Sequence, residues 1–153
     1  MELDNTQIGI LGKHLLIDTL MIAGFEVAEP LRDRGIDLIV FNDGKAGEKF
    51  NAWPIQLKSS SGRIFSVDKK YEKLPRLLIV YAWNVGSRDK SRLFVLTYKE
   101  AVRVLVDRKH AIQKAWTEGN KWADTKVGAE LEKRLKRHEV TPDKLRRVLL
   151  AIK

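Results

Sequence analysis

Over residues 5–23 the apolar positions Ile8, Leu11, Leu15, Leu16, Leu20 and Ile22 recur three and four apart, which predicts a helix with one buried stripe. Asp4, Asn5 or Thr6 can cap its start, and Gly24 can end it in the left-handed conformation. Residues 25–29 then alternate apolar with acidic side chains, the pattern of a half-exposed strand, and Pro30 stops it. After the charged turn at 31–35, residues 36–41 form a continuous apolar run, expected to be a strand buried on both faces. The Asn, Asp and Gly residues of 42–47 suit a hairpin loop, and residues 52–58 give a third strand with Pro54 near its beginning. Two further buried strands are expected at 77–83 and 93–97, separated by a polar loop, and a helix at 98–106.

Beyond residue 106 the pattern weakens. Residues 107–126 contain Trp116 and Trp122 but show no clear period, while 127–135 can be helical. Thr141, Pro142 and Asp143 supply a cap, a first-turn proline and a first-turn acid for a last helix whose apolar face is Leu145, Val148, Leu149 and Ile152. The order of helix, three strands, connection, two strands and helix predicts an α/β fold with a mixed central sheet flanked by helices. A length of 153 residues suits a single domain. Within it, 1–106 is read as the α/β core and 107–153 as a helical, basic C-terminal extension.

Composition narrows the function classes. No apolar run approaches the ~20 residues of a membrane helix, and the acidic, polar N-terminal stretch differs from a signal peptide, so a cytoplasmic location is expected. The chain has no cysteine, which excludes disulfides and thiolate zinc sites. His14, His110 and His138 lie far apart and show no metal-ligand spacing. The net charge of +9 is uneven: residues 1–100 hold 15 Lys and Arg against 13 Asp and Glu, whereas 101–153 hold 14 against 7. Such a lopsided basic surface suits a polyanion, because phosphate contacts release condensed counterions. Lys69, Lys70, Arg146 and Arg147 are the candidate phosphate contacts. Trp83, Trp116 and Trp122 are read first as core or interface residues and only second as base-stacking platforms.

Three polar residues interrupt strands that should be apolar: Asp37 in the second, Gln56 and Lys58 in the third. Residues two apart on a strand share a face, so Gln56 and Lys58 project together, and hairpin pairing lets Asp37 meet them at one end. A carboxylate, an amide oxygen and an ammonium at a sheet edge can serve metal-dependent phosphodiester hydrolysis. Asp37 and Gln56 offer the oxygens that a hard Mg²⁺ or Mn²⁺ prefers, and Lys58 can orient the attacking water or stabilise charge building on phosphorus.

On these residues the chain resembles the PD-(D/E)XK nuclease superfamily, the restriction-endonuclease-like fold. The matching pieces are the helix ending LMIAGFEV, the acid in GIDLIV, and PIQLK in place of the acid-x-Lys, a Gln-x-Lys variant, over about residues 7 to 97. Many members carry a glutamate near the start of the first helix, where this chain has Gly12, Lys13 and His14. The resemblance implies an endonuclease cutting DNA, with RNA left open, in recombination, mobile-element or defence systems, and a homodimer in which each protomer cuts one strand. Asp37, Gln56 and Lys58 would be its catalytic residues. The alternative is a non-catalytic nucleic-acid-binding or regulatory protein of the same fold.

Overall fold

The computed structural model of the chain describes residues 2–87, 89–106 and 113–152, so His110 and Arg88 lie outside the described residues. Asp4 opens the first helix, α1 (Asn5–Ile22), through a capping box: its carboxylate accepts from the Gln7 amide at 2.8 Å and the Gln7 side chain accepts from the Asp4 amide at 2.9 Å. Gly24, at φ 85°, turns the chain out of the helix. Strands β1 (Glu26–Ala28), β2 (Leu38–Phe41) and β3 (Ala52–Ser59) follow as an antiparallel meander, with Leu38 opposite Ile55 and Val40 opposite Trp53.

The chain then leaves the central sheet. Strand β4 (Phe65–Asp68) runs into a 3-10 helix over Lys69–Lys73, and β5 (Leu78–Trp83) returns parallel to β3. Strand β6 (Arg92–Thr97) pairs antiparallel with β5 and leads into α2 (Tyr98–Val106). Next come α3 (Gln113–Thr117), β7 (Lys121–Asp124), α4 (Ala129–Leu135), β8 (Glu139–Val140) and α5 (Pro142–Ala151). The result is an α/β architecture: a mixed six-stranded sheet in the order β1-β2-β3-β5-β6-β8, a separate β4-β7 ribbon, and flanking helices.

Two apolar cores lie on the two faces of the large sheet. On one, Leu16 and Leu20 of α1 and Leu145 and Leu149 of α5 pack on Leu38, Val40, Trp53 and Ile55. On the other, α2, α4 and the ribbon bring Leu105, Leu131, Leu135, Phe65 and Trp122 against Ile79, Tyr81, Trp83 and Phe94. Each fully buried leucine contributes ~1.5–3 kcal/mol over its exposed state. All six residues of β5 are buried, as its unbroken apolar run predicts for a strand covered on both sides.

Two expectations need correction. Strand β2 is buried on one face only, with Leu38 and Val40 inside and Ile39 exposed, because the core on the second face is built over β5 and β6 and does not reach β2. The C-terminal third is also more than a helical extension: β7 completes the ribbon, β8 extends the central sheet, and α5 fills the core against α1. Among the described residues no helix is long and apolar enough to cross a membrane.

Candidate functional site

The β2–β3 ladder ends at Leu38 opposite Ile55, with one further bond from the Asp37 amide to the Ile55 carbonyl at 2.8 Å. Gly35, at φ 87°, then turns the preceding chain away. The second half of β3 therefore has a free edge on the β2 side, and the Asp37 carboxylate fills part of it. Asp37 Oδ2 accepts from the Leu57 amide at 2.6 Å and from Gln56 Nε2 at 2.5 Å. Gln56 Nε2 also donates to the Leu57 carbonyl at 3.3 Å. Asp37 Oδ1 and Gln56 Oε1 take no hydrogen bond among the described residues.

Burial dominates the electrostatics. It raises the pKa of Asp37, against the lowering effects of the Leu57 amide and of the Lys13 and Lys58 charges, while Asp33 adds a further rise. Burial likewise lowers the pKa of Lys58, helped by the positive charge of Lys70 and opposed by Asp68 and Asp37. Lys58 Nζ lies 5.4 Å from the centre of the Tyr71 ring, and burial pushes the Tyr71 hydroxyl up to about 12, so it stays protonated. Asp37 and Gln56 are thus in contact, and Lys58 stands near enough to act on Asp37 through its charge without bonding to it.

On the α1 side a cleft of about 760 Å³ opens beside Asp37, lined by Lys13, His14, Glu29, Leu57 and the run Ser59, Ser60 and Ser61. Lys13 Nζ pairs with Glu29 Oε2 at 3.2 Å, so the cation that the first helix sends toward Asp37 is shared with a carboxylate. Helix α1 lies close against β3 at Gly12: a Cβ there would lie 2.0 Å from Ser59 Oγ. Among the described residues the buried Ser59 hydroxyl has no hydrogen-bond partner.

The four candidate phosphate contacts separate into two groups. Lys69 and Lys70 start the 3-10 helix beside the site, Lys70 Nζ 5.1 Å from the Tyr71 ring and Lys69 Nζ 4.9 Å from that of Trp116. Arg146 lies elsewhere. It donates to the Ala23 carbonyl at 3.2 Å and to Glu48 at 2.6 Å and stacks on Phe25, tying α5 to the far end of α1. That end is about 15 Å from Lys13 at the helical rise. Arg147 is exposed on the same helix. Of the tryptophans, Trp83 is wholly buried with its indole N–H on the Ile64 carbonyl at 2.7 Å, and Trp122 is buried in the same core.

Sequence reasoning places Tyr71 with Lys69 and Lys70, just after the third strand, but missed Asp68 and Lys121; all three act on Lys58 or lie beside it. The signal for Lys121 is faint: in β7 only Trp122 is buried, flanked by exposed Lys121 and Ala123, too short an alternation to stand out. Among the described residues no three His, Cys, Asp or Glu side chains are grouped to hold a metal ion. The oxygens at this edge are Asp37 Oδ2 and the Leu57 carbonyl, and Gln56 presents its Nε2 to both. Compared with known proteins, the chain matches no protein-family model and no curated protein.

Proposed function

We propose that the chain is a metal-dependent endonuclease that hydrolyses DNA phosphodiester bonds, with a restriction-endonuclease-like core. The observation that carries this reading is the meeting of Asp37 and Gln56 at the point where β2 and β3 part, with Lys58 two residues on from Gln56 along the free strand edge. The antiparallel meander followed by a parallel fourth strand supports the fold reading.

The donor set fits a hard cation. With the Gln56 amide turned so that its oxygen replaces the Nε2 now facing Asp37 and the Leu57 carbonyl, these three residues supply one carboxylate and two neutral oxygens, a combination suited to Mg²⁺ or Mn²⁺ that keeps several waters. The ion, when bound, polarises the phosphoryl group and makes water more acidic. Asp37 brings the negative charge, its carboxylate desolvated and one oxygen left without a donor. Lys58, pressed toward its neutral form by burial, can exchange a proton with water and stabilise charge on the phosphoryl oxygens.

Nicking of supercoiled plasmid in Mg²⁺ or Mn²⁺ tests the reading. Lys58→Ala and Asp37→Ala are expected to lower the rate by at least ~10²-fold. Equal nicking by Lys58→Ala and the unsubstituted protein would remove Lys58 from the chemistry. DNA binding with no metal-dependent nicking would instead favour a non-catalytic nucleic-acid-binding protein.

A further inference from the structure

The site gathers more positive charge than the reacting phosphate needs. In the β4–β7 ribbon Lys121 stands directly opposite Asp68, with Nζ 3.5 Å from Oδ2. Lys70 Nζ lies 3.7 Å from the same oxygen. Asp68 is fixed in turn, because its Oδ1 accepts from the Lys70 amide at 2.9 Å and caps the 3-10 helix, and its side chain is only 11% exposed. Strand register places one lysine and a helix cap places the other.

Neither ammonium approaches Asp68 as closely as the ~2.7–2.9 Å of a strong charge-assisted hydrogen bond. Both keep donors for solvent or a ligand, being 58% exposed at Lys70 and 72% at Lys121. Lys58 and Lys70 both lie within 5.4 Å of the centre of the Tyr71 ring, so this pair of ammoniums continues directly from the Asp37, Gln56 and Lys58 edge. Two ammoniums share the single carboxylate of Asp68, and Lys58 feels the charges of both, so the three repel one another in the free protein and a polyanion relieves that repulsion.

We propose that Lys70 and Lys121, fixed by Asp68, bind the phosphate next to the one held at Asp37, Gln56 and Lys58, so that the substrate is a polynucleotide strand gripped at successive phosphates. The assignment rests on the endonuclease reading for the identity of the first phosphate. A strand presents one phosphate per nucleotide, whereas a mononucleotide leaves the second position empty. Contacts of this kind fix the register of the strand and read no base.

Two measurements on the full chain with Lys70→Gln and Lys121→Gln combined test the subsite. The first is the salt dependence of binding to a fluorescein-labelled oligonucleotide in EDTA. Loss of two phosphate contacts lowers the slope of log K against log salt by about 1.4–1.8, and an unchanged slope overturns the proposal. The second is single-turnover cleavage of oligonucleotides in which one phosphate at a time is a neutral methylphosphonate. A methylphosphonate next to the cut slows the unsubstituted protein about tenfold, and in the double variant that penalty disappears. A penalty that persists there overturns the proposal. A lowered binding slope in a protein that cuts nothing supports the phosphate contacts while refuting the hydrolytic reading, so the two failures are distinct.

Discussion

Gln56 donates its side-chain N–H to Asp37 Oδ2 at 2.5 Å, and the same nitrogen faces the Leu57 carbonyl. A neutral donor therefore lies between two oxygens, and a cation there needs the amide turned so that its oxygen faces inward. Gln56→Glu replaces that donor with a second carboxylate. Two carboxylates so close cannot both ionise without a cation. The variant is expected to melt below the unsubstituted protein in EDTA and to gain more from Mg²⁺, with half-maximal stabilisation at about tenfold lower concentration. Thermal melts across an MgCl₂ titration check this. A Gln56→Glu protein no more responsive to Mg²⁺ than its parent contradicts the cation's placement.

Lys13 acts on the same carboxylate from the helix side, lowering the pKa of Asp37 while pairing with Glu29. The pair is at least one-third exposed at both ends, so it contributes about 0–1 kcal/mol to folding. Lys13→Ala should therefore leave stability nearly unchanged and reduce the Mg²⁺ needed for half-maximal nicking, because one competing positive charge is gone. Urea melts and a metal titration of nicking separate the two effects. A large loss of stability would show that the ion pair holds the cleft together.

Gly12 is where helix propensity and packing oppose each other. Alanine in mid-helix is worth ~1 kcal/mol over glycine, yet a Cβ at Gly12 would meet Ser59 Oγ at 2.0 Å and Ser59 Cβ at 2.7 Å. The second contact belongs to a stiff strand, so rotation of the serine side chain cannot relieve it. Packing wins, and Gly12→Ala is expected to destabilise by about 1–3 kcal/mol. Ser59→Gly in the same chain should recover part of the loss. A stabilised Gly12→Ala protein would mean that α1 stands further from β3 than the structure shows.

The first helix, the meander and the buried strand β5 were legible because local signals agree with tertiary context: a capping acid, a three-four period, a glycine at the turn and an unbroken apolar run. Strand β2 shows where that agreement fails. Its run of apolar residues reads as buried on both sides, but Ile39 is open because nothing in the sequence says how far the second helical layer extends. The contact of Asp37 with Gln56 followed from strand periodicity together with hairpin pairing of neighbouring strands, whereas the charges around Lys58 depend on the pairing of β4 with β7, two strands separated by more than fifty residues and too short to show a period. Arg146 shows the same limit: nothing in its basic surroundings along the chain says that its partners are the Ala23 carbonyl and Glu48.

Arg92 fastens the end of the central sheet and gives the fold a defined sensitivity to acid. Its guanidinium donates to both carboxylate oxygens of Glu139, at 2.8 and 2.9 Å, and to Glu132 at 2.5 Å, while lying 5.0 Å from the Phe94 ring centre. The bidentate bond to Arg92, with help from Lys136, holds the Glu139 carboxyl at about 2 against an ordinary value of 4.5. A carboxyl whose pKa is lower in the folded state stabilises the fold above its unfolded pKa, and that contribution is lost as pH falls from about 4.5 toward 2. Because Glu139 is largely shielded, the contribution is on the order of 2 kcal/mol at neutral pH. Glu139→Gln should accordingly be less stable than the unsubstituted protein at pH 7, with the gap closing between pH 5 and 2. Urea denaturation at a series of pH values measures it. A difference that stays constant across that range would assign the loss to side-chain packing instead of to the ion pair.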